Sequence, residues 1–393
     1  MRQPLRLLLP LCLLLCACER KVQESPRQTS GGSSGAQGAS GSGPILLGSV
    51  GSLTGPEATF GVTVRDGIAL AVEEANAQGG VKGRPLAVRF YDSQGKPEES
   101  SAAVTRLISQ DHVSVILGEV SSSNSLVIAD AAQAAHVPMV TPAATHPDVT
   151  KKGDYIFRVC FIDPFQGEVM AKFARENLKL SRVAILQDDK NAYSLGLARV
   201  FDEAFRRLGG EVVARASYQK GDTDFRAPLT QLRKARPEAL YVPGFYSEVG
   251  VIARQARELG FTEPLLGGDG WESDHLLELA GNALEGSYYS AHYALDNPAP
   301  ALQRFVAAYR KRYGVVPEAG AALGYDAARV AIAALSRAPS LDGPAVRDAL
   351  ASTRNFVGAA GTLSLDANRN AVKPAVILEV EGTRRRFVTT VAP

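Results

Sequence analysis

The chain predicts an α/β fold: two doubly wound, Rossmann-like lobes joined by a hinge that the chain crosses several times. Short apolar runs alternate with longer amphipathic ones from Ile45 onward, as strand–helix–strand units feeding a parallel sheet require. The alternation starts afresh near Asp163, and helical segments after residue 300 exceed the needs of one more lobe. A chain of 393 residues with 45% hydrophobic and 21% charged residues is long enough to bury two such cores.

In the first series "ILLGSVGSL" reads as a strand, and the following helix carries Val64, Ile68, Ala71, Val72 and Ala75 at helical spacing, stopping at Gly79. "LAVRFYDS", "PEESSAAVTRLISQ", "VSVILGE", "NSLVIADAAQAAHV" and "PMVTPAA" continue the alternation. The second series runs from the helix "PFQGEVMAKFARENL" through "RVAILQD", "YSLGLARVFDEAFRRLG", "GEVVARASY", "FRAPLTQLRKA", "EALYVPGF" and "EVGVIARQARELG" to "PLLGGDG". "ALQRFVAAYRKRYG" and "ALGYDAARVAIAALSRA" are two further helices, and "AVILEVEGTRRRFVTTV" is a terminal antiparallel hairpin. The expected division gives residues 45–162 plus 290–355 to lobe 1 and 163–289 plus 356–393 to lobe 2.

The first residues, "MRQPLRLLLPLCLLLCAC", place two Arg before a Leu-rich run too short for a confident bilayer span, which reads as an export signal over residues 1–17. "LCAC" resembles a bacterial lipoprotein signal ending at Cys18, although Cys16 is an unusual occupant of that box; plain secretion after a small residue is the alternative. Residues 18–44 are rich in Gly and Ser, the composition of a flexible tether that follows naturally from a lipid anchor at Cys18. The expected location is therefore extracytoplasmic and membrane-attached. A net charge of +2 from 43 basic and 41 acidic residues gives no field for a nucleic acid partner. The five histidines show no pair at helix-face metal spacing, and Cys160 reads as a buried small apolar residue, so neither a metal nor another cofactor is expected.

Candidate ligand groups sit where strands end and helices begin, at the crevice between lobes. "GEVSSSNS" runs from a buried strand into hydroxyl side chains: Ser121, Ser122 and Ser123 lie at a helix entrance, where free N–H groups and hydroxyls make an anion site. One serine would suffice as a cap. In "VTPAATHPD", Ala143 and Ala144 allow close backbone approach and Thr145 adds a hydroxyl. The enzymatic alternative makes Ser122 a nucleophile and His146 its base, but the stretch lacks a nucleophile-elbow pattern and no carboxylate is placed to orient His146.

At these residues the chain resembles the type I periplasmic binding proteins, in particular the leucine/isoleucine/valine-binding family of branched-chain amino acid ABC transporters. "GSLTGPEATFG", "AVEEANAQGGVKGRPLAVRFYDSQGKPEES", "GEVSSSNS", "TPAATHPD", "QDDKNAYSLGLA", "YVPGFYSEVGVIARQARELG" and "GGDGW" carry the resemblance in shared order. It implies that Ser122, Thr145 and Ala143, with Ser123 beside them, hold an α-carboxylate, that Asp269 holds the α-ammonium, that Tyr193 closes over the ligand, and that Phe60 and Phe245 supply aromatic walls. Where the resemblance places a pocket-lining aromatic, this chain has Gly320, which would widen the pocket, and Gly95 and Ser121 stand where a disulfide is expected. The implied function is delivery of an apolar amino acid by a lipid-anchored monomer to an ABC permease, without chemistry of its own. A sensor of the same fold, signalling through a separate partner, is the alternative.

Overall fold

The computed structural model describes residues 43–393, so the leader, Cys18 and all of the expected tether except Gly43 and Pro44 lie outside the described residues. The first series forms β1 (Ile45–Gly51), α1 (Ala58–Ala77), β2 (Leu86–Asp92), α2 (Pro97–Ser109), β3 (Val115–Gly118), α3 (Ser122–Ala134), β4 (Met139–Thr141), the single turn α4 (Asp148–Lys151) and β5 (Ile156–Arg158). Its strands make an all-parallel sheet in the order β2-β1-β3-β4-β5. Strands covered on both faces are continuously apolar, and β3, "VILG", is buried at every position.

The second series gives α5 (Asp163–Lys172), β6 (Arg182–Asp188), α6 (Ala192–Arg207), β7 (Glu211–Tyr218), α7 (Arg226–Lys234), β8 (Ala239–Tyr241), α8 (Tyr246–Glu258), β9 (Leu265–Gly267), α9 (Asp274–Ala280) and β10 (Tyr288–Ala291). The chain then returns through α10 (Pro300–Tyr313), α11 (Ala319–Arg337) and α12 (Gly343–Ala351), three short strands β11 (Phe356–Gly358), β12 (Gly361–Leu365) and β13 (Ala371–Val372), and the hairpin β14 (Ala375–Glu381) and β15 (Arg384–Val391). The hairpin joins the second sheet antiparallel to β10, giving the order β15-β14-β10-β9-β8-β6-β7.

Three crossings connect the lobes: residues 159–162, the segment after Ala291, and residues 373–374. The last lies later than expected. Residues 356–372, assigned in the sequence reading to lobe 2, form a small antiparallel sheet whose Leu363, Leu365 and Ala371 share the first lobe's core with α1 and α11. Asp326 on α11 fixes it there by accepting the Ala359 N–H at 2.6 Å and the Ala360 N–H at 2.9 Å.

Glycine sets the spacing of α1 and α11. A methyl at Gly67 would lie 2.0 Å from the Ala321 carbonyl oxygen, and one at Gly324 2.4 Å from that of Val64, so only a hydrogen permits this backbone approach. Gly320 belongs to the same seam: its Cβ would meet Thr63 Oγ1 at 2.5 Å. The expectation that Gly320 widens the pocket is thus corrected, because the missing side chain would point into α1.

Candidate functional site

Side chains from both lobes converge on one cavity with about 430 Å³ of non-atom space, part of it open to solvent. The first lobe contributes Phe60, Val120, Ser122, Ala143 and Leu323; the second contributes Tyr193, Phe245, Asp269 and Glu272, with His292 on the crossing after β10. Six of the sequence-derived residues therefore line it: Phe60, Ser122, Ala143, Tyr193, Phe245 and Asp269.

Ser121 is the N-cap residue of α3 with extended backbone, which places Ser122 in the first helical turn, where N–H groups have no carbonyl partner within the helix. Ser122 Oγ accepts the His146 N–H at 3.2 Å, tying this turn to the "PAATH" loop. Arg158, fully buried at the end of β5, braces that loop by donating to the carbonyls of Ala144 and His146, the latter at 2.9 Å. The His146 ring is turned elsewhere: Nδ1 accepts the Asp148 N–H at 3.3 Å and the ring packs against Gly196. Ser122 consequently has no base of the kind a hydrolase needs.

Two expected residues sit outside the cavity lining. Ser123 is the next residue round the helix and is turned toward α6, where its Oγ accepts the Ala192 N–H at 3.2 Å; it joins the lobes. Thr145 is buried beside Asp163, which follows the first crossing; its carbonyl accepts the Asp163 N–H at 3.0 Å and its hydroxyl faces the Asp163 carboxyl. Burial, reinforced by the negative charge of Asp269, pushes the Asp163 carboxyl up to about 7, against the lowering influence of Thr145, Gln166 and Arg158.

On the opposite wall, Asn191 caps α6 by accepting the Tyr193 and Ser194 N–H groups. This sets Tyr193 in the first turn, its ring stacked on Phe245 at 5.3 Å and its hydroxyl accepting the Gly270 N–H at 3.1 Å. Asp269 opens the 3-10 turn after β9; its Oδ2 lies 3.0 Å from His292 Nε2, while Oδ1 is buried without a partner. Burial lowers the pKa of His292 against the pull of Asp269, and its ring stacks on Phe161 at 3.9 Å. Burial, with the charge of Asp269 adding to it, drives the Glu272 carboxyl well upward.

Sequence reasoning missed Glu272, His292 and Arg158. Their signals are an acidic residue one position past "GGDGW", a histidine just past a strand end, and an arginine inside the apolar run "YIFRVC".

The lobes are closed over the cavity. Phe60 packs edge-on against Phe245 at 5.8 Å and Tyr246 at 4.9 Å. Tyr246 donates to the Pro56 carbonyl at 2.8 Å. Lys220 pairs with Glu57 at 2.8 Å and donates to the Gly95 carbonyl at 3.2 Å. Gly95 presents that carbonyl from a left-handed backbone, φ +67°, which favours glycine.

The family model for periplasmic binding proteins matches residues 44–385. A Leu/Ile/Val-binding protein homolog of Brucella melitensis is 34% identical over 336 residues, covering 84% of this chain and 89% of its own length. Among solved structures, a leucine-binding protein of Thermotoga maritima is 39% identical with a TM-score of 0.86, covering 89% of this chain and 99% of that one. A branched-chain amino acid transporter substrate-binding protein of Streptococcus pneumoniae, in complex with isoleucine, is 32% identical with a TM-score of 0.84, covering 89% and 100%. The two-lobed architecture, the cavity between the lobes and these matches agree: the chain belongs to the periplasmic binding protein family, a family of extracytoplasmic binding proteins and not of enzymes.

Proposed function

We propose that the protein captures an apolar α-amino acid of the branched-chain type and delivers it to the permease of an ABC transporter. One observation carries the reading: Ser122 and the first turn of α3 on one lobe share a cavity with Asp269 on the other, whose buried Oδ1 has no partner. A helix N-terminus suits a carboxylate, and a buried carboxylate oxygen suits an ammonium. Phe60, Val120, Leu323 and Ala319 supply an apolar wall for the side chain. Ala143 completes the carboxylate side, Thr145 lies behind it against Asp163, and Ser123 contributes by holding the closed state. Relatives named for leucine, isoleucine and valine support the same class.

In this reading the protein works as a monomer tethered through acylated Cys18. Cys18→Ala protein should then be released from membranes on washing; firm retention argues against the anchor. Calorimetry with leucine, isoleucine, valine and alanine tests the ligand class. Leucine should bind tens-fold more tightly than alanine, since each buried methylene contributes about 0.8 kcal/mol. The α-keto analogue of leucine should bind far more weakly. Equal binding of the keto acid, or preference for glutamate, overturns the proposal.

A further inference from the structure

A second cavity lies at the hinge, behind the first, with about 1230 Å³ of non-atom space, part of it open to solvent. The β14–β15 hairpin, the crossing after β10 and the residues leading into α11 form its walls, so it touches both lobes. Glu272 and Ala319 line this cavity and the ligand cavity alike.

Buried polar atoms that make no well-formed hydrogen bond converge here from separate segments: Arg385 Nε and Nη2 from β15, the Tyr289 hydroxyl beside them from β10, and Glu318 Oε2 from the start of α11. Tyr289 is wholly buried. Leaving such groups unmatched is costly, so a cavity they line is suited to a polar occupant. Arg385 Nη1 is engaged by Asp274, which leaves the Nε–Nη2 edge of the guanidinium open. That edge presents two parallel N–H donors, the geometry that grips a carboxylate with both oxygens. Tyr293, Ala294, Leu295, Val316 and Leu378 add apolar surface. The acidic groups at this cavity are Glu272, Asp274, Asp296 and Glu318. Asp274 is neutralised by Arg385, and burial pushes Glu318 up to about 7.

We propose that the hinge cavity is a second binding site, selective for a small organic carboxylate with an apolar body, held by the Arg385 fork and the Tyr289 hydroxyl. An occupant there touches both lobes and shares a wall with the ligand cavity.

The test titrates 4-methylpentanoate into full-length protein carrying one equivalent of leucine, followed by calorimetry. Saturable binding of one further equivalent is expected, at least tenfold weaker for the uncharged 4-methylpentanamide. Arg385→Gln should weaken carboxylate binding at least tenfold and Tyr289→Phe severalfold, while Lys172→Ala, on the exposed surface, leaves it within twofold. Tyr289→Phe removes one hydroxyl and carries the test if Arg385→Gln fails to fold. Absence of saturable binding to the parent, equal binding of acid and amide, or loss in Lys172→Ala with retention in Arg385→Gln overturns the proposal. If leucine itself does not bind, the same titration without leucine still tests the hinge cavity through the Arg385 and Tyr289 variants.

Discussion

Closing the lobes should take up a proton at Glu57. This residue is the N-cap position of α1, with its side chain only 4% exposed and paired with Lys220 of the other lobe. Burial pushes its carboxyl from 4.5 up to about 7; Lys220 opposes this, while Glu248 and Glu119 add to it. When the lobes part, Lys220 and the surface that covers Glu57 move away, and the carboxyl returns toward its ordinary value. A carboxyl raised in the closed state favours that state fully at pH below about 4.5, and the advantage fades as pH climbs through about 7. At pH 6 closing should therefore bind about 0.9 proton, and affinity should fall close to tenfold per pH unit on this account.

Glu57→Gln removes the titration while keeping the side chain's size. Leucine titrations at pH 6 in buffers of different ionisation enthalpy report proton uptake directly. The parent should take up nearly one proton more than the variant, and its plot of log affinity against pH should be steeper by the same amount between pH 5 and 7. Differencing against the variant cancels other buried carboxyls such as Asp163. Equal uptake and parallel pH profiles would refute the argument.

The remaining expectations concern the ligand groups and the helix seam. Asp269→Asn should weaken leucine binding by about 3 to 5 kcal/mol, hundred- to several-thousand-fold, because it strands a buried ammonium; calorimetry reads this, and binding within threefold of the parent contradicts it. Ser122→Ala should cost about 1.5 to 3 kcal/mol through loss of one hydrogen bond to a charged group, again by calorimetry. Gly324→Ala should lower stability by about 1 to 3 kcal/mol in urea unfolding, since its methyl would lie 2.4 Å from the Val64 carbonyl; an unchanged midpoint argues against the close seam.

Periodicity made the two lobes legible, because α1, α6 and α8 each carry an apolar face and the parallel strands between them are short apolar runs. The strand-end positions of Ser122 and Asp269 were legible for the same reason. Strands of two to five residues, β11 to β13, hold too few positions to show a period, so their placement with the first lobe depends on Asp326 and the core around α11. Glu57, Glu272 and Lys373 were illegible in a different way. Charged residues are ordinarily exposed, and nothing local marks the few that a distant segment will cover. Lys373, buried in the last crossing with Nζ unpartnered, becomes notable only once the hinge is assembled.

The latch and the ligand divide the work of closure. The inter-lobe hydrogen bonds of Lys220, Tyr246 and Ala192 contribute roughly 1 kcal/mol each, about 3 kcal/mol together. Holding Glu57 ionised at a site whose pKa is about 7, with Lys220 already included, costs about 3 kcal/mol above neutrality. These are of similar size, so the polar latch alone does not fix the equilibrium between open and closed. Moving such an equilibrium from one part in a hundred to its reverse needs about 5.5 kcal/mol of differential binding. Groups split between the lobes, as Ser122 and Asp269 are, can supply that difference because only closure brings both to one molecule. A ligand missing either charged end would bind one lobe and leave the equilibrium almost where it stood.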